Sequence, residues 1–302
     1  MTTSTKSQQN EEIVLPPTLA KSVEKNLAQL NVLPAIAMEA LKMSKDPECS
    51  MGEFSRLVER DVKLATDILR MANSVVFSGG TSVQSLHQAV VRLGFRHCKN
   101  LILSSSVSGL MKKLSLEESW VRELLWRHSF LTGMLSVHLN RVFNAGFFGE
   151  EFTAGLVHDF GRTLFAFCLP KDFAKIDPLE FNESIETLAY EQEVAGIDHA
   201  QLGAWFAKNN QLPESIYEVI RYHHQPELAT QSRRLVAIVA IGDQIANSLQ
   251  RSDDASSFDP ETIPFFDVLE STGISQPQKK FIENYESIIN HAVQDASEMT
   301  RE

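Results

Sequence analysis

From Leu19 onward apolar residues recur at helical spacing almost throughout the chain. Leu64, Ala65, Ile68, Met71, Ala72 and Val75 form one stripe, the face a helix presents to other helices. No segment alternates apolar and polar residues over six or more positions, so no strand is expected. Start signals support the same reading. Ser50 with Glu53, and Ser115 with Glu118, match the reciprocal capping pair in which each side chain satisfies the other's orphan backbone donor. Pro34 stands ahead of the apolar run Ile36 to Met43, where a first-turn proline belongs. Gly79-Gly80 and Gly94 punctuate the following helices. The expectation is an all-α fold, a multi-helix bundle with an N-terminal helical part.

The divisions expected along the chain are a tail over residues 1–17, disordered over 1–12, and roughly five short helices over 18–113. A second helical part follows over 114–250. A loop and a last helix, from about Lys279 to Thr300, close the chain over 251–302, with Asp253 to Phe258 read as a surface loop.

Composition narrows the function. Of 302 residues, 43% are apolar and 22% charged, an ordinary globular balance. Cys49, Cys98 and Cys168 are scattered singly, which fits a reducing cytosol rather than a disulfide framework. No secretory signal is visible in the polar start, and no apolar run is long enough for a bilayer, so a cytoplasmic location is expected. Residues 1–115 carry 14 basic and 10 acidic side chains; residues 116–302 carry 14 and 29. An acidic body repels a phosphate backbone, so neither nucleic acid nor membrane is an expected partner.

The residues that could carry chemistry lie in the acidic part. His158-Asp159, in LVHDFGR, pairs a nitrogen ligand with a carboxylate that can bridge two cations. Gly161 suits a helix C-terminus, which would put the pair at a helix end. His223-His224 precede Pro226, which ends a helix begun near Pro213. Successive helical residues point about 100° apart, so both rings rarely bind one ion equally well; the alternative to two ligands is one ring at the core edge and the other in solvent. His128 sits in LLWRHSF, His199 in GIDHAQLGAWFA, and Asp243 in the apolar run VAIGDQIA. A carboxylate inside such a run is costly unless paired or bound to metal.

The order His128, His158-Asp159, His199, His223-His224, Asp243 resembles the ligand set of the HD superfamily of phosphohydrolases. The words LPAIAMEALKMSKDP, LVERDVKLATDILRMANSVVF, SLHQAVVRLGFRHCKNLIL and RYHHQPE, with those above, resemble more closely the HDOD domain, the HD-related output domain of bacterial signalling proteins. The resemblance covers roughly residues 25–245. It implies that His128, His158, Asp159 and Asp243 hold one metal, and that Asp159 bridges to a second held by His199 with His223 or His224. Imidazole and carboxylate donors suit iron, manganese or zinc. Arg162 stands where many HD enzymes carry a lysine that contacts substrate phosphate, and Arg127 is a second candidate contact or a surface ion pair. If the protein is an enzyme, Asp159 and Arg162 are its expected catalytic residues. The GYP segment of cyclic-di-GMP phosphodiesterases is missing after RYHHQPE, which disfavours that substrate. Asn73, ahead of Ser74, is expected to close its helix. The implied function is a signalling module with a metal-binding pocket and a separate protein partner. The alternative is a metal-dependent phosphohydrolase on a nucleotide or phosphate ester.

Overall fold

The computed structural model describes residues 13–27, 34–44, 46–73, 81–114, 116–182, 185–251 and 258–300. Helices dominate, and no strand occurs among the described residues. The first group is α1 (Pro17–Leu27), α2 (Ala35–Met43), α3 (Met51–Val58), α4 (Val62–Asn73) and α5 (Leu86–Lys113). Leu64, Ile68, Met71 and Ala72 of the expected stripe are buried along α4, and Ala65 packs against the core at its margin. Val75 and Gly79-Gly80 lie outside the described residues. Ser50 and Glu53 form the capping pair of α3 as expected, and Pro34 is the cap residue of α2.

Three expectations change here. The fifth helix is not short: α5 runs for 28 residues. Gly94 does not end a helix but kinks this one, at φ 72° and ψ 164°, a backbone conformation that costs glycine little. Residues 13–16 are not free tail, since Ile13 and Leu15 pack against the core. Ser115 lies outside the described residues, and α6 (Ser119–Phe143) starts with Glu118 as cap residue and no side-chain cap bond.

The second group winds around α6. It comprises α7 (Glu150–Val157), α8 (Phe160–Cys168), α9 (Phe173–Ile176), α10 (Ile185–Ala195), α11 (His199–Asn209), α12 (Glu214–Tyr222) and α13 (Arg233–Arg251). The last elements are α14 (Phe266–Ser271) and α15 (Pro277–Thr300), the latter laid along α6. Most of the expected surface loop 253–258 lies outside the described residues; Phe258 packs near Phe281 and Tyr285.

Where helices cross closely, small residues allow it. A Cβ on Gly155 would come within 2.7 Å of the Gly133 Cα, so α6 and α7 touch backbone to backbone. A Cβ on Gly161 would meet the His199 carbonyl oxygen at 1.9 Å. Gly161 is thus not a helix end. It is the second residue of α8, and it lets α8 lie against the start of α11, drawing Asp159 and His199 together. No helix among the described residues is long and apolar enough to cross a membrane.

Candidate metal centre

His158 is the last-turn cap of α7 and Asp159 the cap residue of α8, so the pair sits at the break between two short helices. His128 comes from mid-α6, His199 from the first turn of α11, and Asp243 from the apolar middle of α13. His223 caps the C-terminal end of α12. His224 lies beyond that end, so the helical angle between successive rings does not apply. Both rings are buried, and the alternative of one ring in solvent is set aside. His128, His158, Asp159, His199, His223 and Asp243 are 0–2% exposed, and His224 is 7% exposed.

Each of four histidines uses Nδ1 the same way. Nδ1 of His128 donates to Gln250 Oε1 at 2.6 Å, and that of His158 to the Gly155 carbonyl at 2.7 Å. His199 Nδ1 donates to the Glu191 carboxylate at 2.8 Å, and His223 Nδ1 to the Ile220 carbonyl at 3.0 Å. An acceptor on Nδ1 fixes the ring and points Nε2 at the centre, where it can ligate once any proton on it is displaced. Those Nε2 atoms converge on the two aspartates. Asp159 Oδ2 lies 3.5 Å from His128 and 3.6 Å from His158, while its Oδ1 lies 3.4 Å from His199 and 3.3 Å from His223. Asp243 Oδ1 is 3.1 Å from His128 Nε2 and 3.4 Å from His158 Nε2. The Nε2 atoms of His199 and His224 are 3.0 Å apart. Thus one oxygen of Asp159 faces the His128–His158 set and the other faces the His199–His223–His224 set.

These donors fit a cation. Nε2 of His158, Nε2 of His223 and Oδ1 of Asp159 are buried with no hydrogen-bond partner. Orphaned buried polar atoms are costly, and three in one cavity point to a missing electrophile. Ligands held about 2.1 Å from a common ion lie about 3.0–3.4 Å from one another, by simple octahedral or tetrahedral geometry. The observed spacings of 3.1 to 3.6 Å are close to that.

Electrostatics agree. Burial resists charge on His158 and His199, yet the surrounding carboxylates prevail. They lift His158 to about 9 and hold His199 well above the usual imidazole range. Burial also resists ionisation of Asp159 and Asp243, but His158, with Arg162 or His128, keeps both carboxylates ionised well into acid. Burial and the neighbouring rings push His224 well below its ordinary value. Two buried carboxylates therefore attract positive charge, here as protons on His158 and His199.

Arg162 is placed differently from the substrate contact the resemblance implies. It is 1% exposed; its Nε and Nη2 bond Asp177 at 2.7 and 3.0 Å, and its Nη1 bonds Asp159 at 3.1 Å. The Phe181 ring lies 4.9 Å from its guanidinium and 5.1 Å from the His128 ring. The segment from Asp177 to Phe181 straps the centre, with Leu179 and Phe181 at φ 59° and 50°. Arg127 points outward in a surface ion pair with Glu123 at 3.4 Å. Asn73 is the last residue of α4, and its side chain bonds both the N–H and the carbonyl of Val83, at 2.8 and 2.9 Å; the residues after it lie outside the described ones. Glu191, Gln250 and Asp177 were not anticipated. They are ordinary polar residues in sequence, and only the fold shows that they orient His128, His199 and Arg162.

An all-helical chain built round a buried cluster of five histidines and two aspartates defines the class of protein. Residues 30–226 match the family model of the HDOD domain, and the chain belongs to that family. It resembles the crystal structure of an HDOD domain protein of unknown function from Geobacter sulfurreducens, at 24% identity and a TM-score of 0.72. That likeness covers 92% of this chain and 97% of the other. It also resembles a protein from Shewanella amazonensis SB2B named "Putative phosphohydrolase", at 22% identity and a TM-score of 0.65, covering 92% and 98%. At these identities the likenesses show the fold. An uncharacterized protein of Treponema pallidum (strain Nichols) is 24% identical over 250 residues, 82% of this chain; the chain spans about half, 48%, of that relative's length.

Proposed function

We propose that this protein is a regulatory HDOD module in signal transduction, whose buried His/Asp centre binds one or two divalent ions and whose helical body engages a separate protein partner. The observation that carries the metal reading is the convergence of four Nε2 atoms on the two oxygens of Asp159, with Oδ1 and the Nε2 atoms of His158 and His223 orphaned. His128, His158, Asp159 and Asp243 would hold one ion, and Asp159, His199, His223 and His224 a second. Nitrogen and carboxylate donors favour iron, manganese or zinc. Bound ions there would supply Lewis acidity toward a phosphate ester.

The strap favours regulation over turnover. Phe181 and Arg162 close the centre, and the guanidinium is held by two carboxylates rather than turned toward a substrate. The second reading, a metal-dependent phosphohydrolase, is favoured by Asp159 placing one oxygen toward each donor set. The deciding experiment is elemental analysis of freshly purified protein, prepared anaerobically without chelator, beside Asp159→Ala. One or two equivalents of transition metal, lost in the variant, are expected. No metal in either protein after reconstitution would refute the site. Hydrolysis of phosphate esters by the loaded protein, lost in Asp159→Ala, would replace the regulatory reading with the second.

A further inference from the structure

The helices that hold His128 and His158 also form, on their reverse faces, the floor of a separate cleft. About 140 Å³ of space opens between α4 and α5 on one side and α6 and α7 on the other. Trp126, Phe130, Phe152 and Leu156 line its apolar part. Trp126 and Phe130 stand two residues before and after His128, and Leu156 stands two residues before His158. Two residues along an α-helix turn about 200°, so these side chains face away from the metal centre while sharing its backbone. The rings form a continuous aromatic wall: Trp126 to Phe130 at 5.9 Å and Phe130 to Phe152 at 5.5 Å.

The rim is basic. Lys63, Arg70 and Lys112 border the cleft, against one acid, Asp67. The excess belongs to the basic part of the chain, residues 1–115, with 14 basic and 10 acidic side chains. Lys112 Nζ sits 5.8 Å from the Trp126 ring centre. Lys63 Nζ donates to Asp67 at 2.8 Å and to Ser105 Oγ at 2.6 Å, and Ser105 Oγ in turn donates to Asp67. One anionic group is thus already seated on the rim lysine, supplied by the chain itself. An apolar cavity of about 150 Å³ admits a benzene-sized ring. The cleft therefore has room for one aromatic ring, with the rest of a ligand at the charged mouth.

We propose that this cleft binds a small aromatic anion, its ring against Trp126 and Phe130 and its charge among Lys63, Arg70 and Lys112, and that binding is transmitted to the His/Asp centre along α6 and α7. The shared chemistry can come from a nucleoside monophosphate or from an aromatic carboxylate. The test is calorimetric titration of the full chain, as purified, with UMP and CMP in one arm and phenylacetate and benzoate in the other. Uridine and phenylacetamide serve as uncharged controls. The expected result is a Kd below about 1 mM in one arm, with the uncharged counterpart about 10-fold weaker. The double variant Lys63→Gln, Lys112→Gln should weaken binding about 10-fold without touching the core. Trp126→Leu should weaken it about 10-fold through lost stacking, its fold checked by circular dichroism. Binding in the first arm assigns a nucleotide, and binding in the second a carboxylate. No binding in either arm, or binding that the lysine variant leaves unchanged, overturns the site.

The transmitted effect rests on the metal reading and is tested apart from the titration. Ligand at saturation should change the rate at which a chelator strips metal from the loaded protein by about threefold or more. Tight binding with an unchanged stripping rate overturns the coupling while the cleft stands.

Discussion

The two ends of α7 each carry a buried carboxylate, and the two are treated in opposite ways. At the N-terminal end, Glu151 accepts from the Gly149 N–H at 2.8 Å and from Asn140 Nδ2 at 2.8 Å. Asn140 also holds Phe147 through both its amide atoms, so the turn before α7 is closed by partners within the chain. Burial, with Glu150 adding to it, outweighs those hydrogen bonds and pushes Glu151 up to about 7. Just past the C-terminal end, Asp159 lies among histidines, stays ionised well into acid, and leaves Oδ1 without a hydrogen bond. A carboxylate that serves the fold is satisfied by the fold. Asp159 is instead surrounded by imidazoles that the fold has oriented toward it.

The contrast is broken most directly by exchanging the losses. Asp159→Ala should lower metal affinity by at least about 100-fold, while Glu151→Ala should lower the melting temperature and leave metal content unchanged. Equal metal loss in both, by elemental analysis, would erase the distinction. Glu191→Gln removes the charged partner of His199 Nδ1, and should cost about 10–100-fold in metal affinity with little change in the melt.

Gly161→Ala should destabilise the chain by about 3 kcal/mol or more, because the new methyl meets the His199 backbone. Chemical denaturation would show it, and metal content should fall alongside.

Acidity sharpens the comparison further. Glu151 binds its proton more tightly folded than unfolded, so its contribution is complete below its ordinary pKa of 4.5 and is lost as pH rises through about 7. The loss is about 3 kcal/mol, and Glu151→Gln should flatten the stability profile over that window. In metal-free protein His158 behaves alike in a higher window, its contribution complete below 6.5 and lost through about 9. Since a cation must displace the protons on His158 and His199, metal affinity should climb about tenfold or more per pH unit between about 7 and 9. The smallest effect lies far from both ends of α7. Ser50→Ala should cost about 1 kcal/mol by removing the cap of α3 and leave metal binding alone.

Much of this was legible because it depends on local pattern or on residues that do not belong where they stand. The helices that start after Pro34, Ser50 and Pro213 follow from capping and periodicity. Asp243 inside an apolar helix and five spaced histidines mark a polar cavity, because buried charge needs a partner. What was not legible depends on contacts between distant segments. Glu191 and Asp177 read as two more acids in an acidic half, and only packing shows that one orients His199 and the other holds Arg162. Gly161 reads as a helix end from its neighbours, whereas its role is to admit the backbone of His199, three helices on in the chain. A periodicity argument sets the two rings of His223-His224 apart only because it is carried one residue beyond the end of its helix.

The strap over the centre has a kinetic consequence. Six donor residues are at most 2% exposed, His224 is 7% exposed, and the Phe181 ring lies 5.1 Å from that of His128, so an ion bound there as proposed would exchange slowly. Parting of the Arg162–Asp177 ion pair would let the Asp177–Phe181 segment lift. Leu179 and Phe181 hold left-handed backbone angles that side chains disfavour, so part of that opening is already offset by strain. An ion taken up as the chain folds would then outlast changes in its surroundings, so the metal content of the purified protein would report the ions present at its birth.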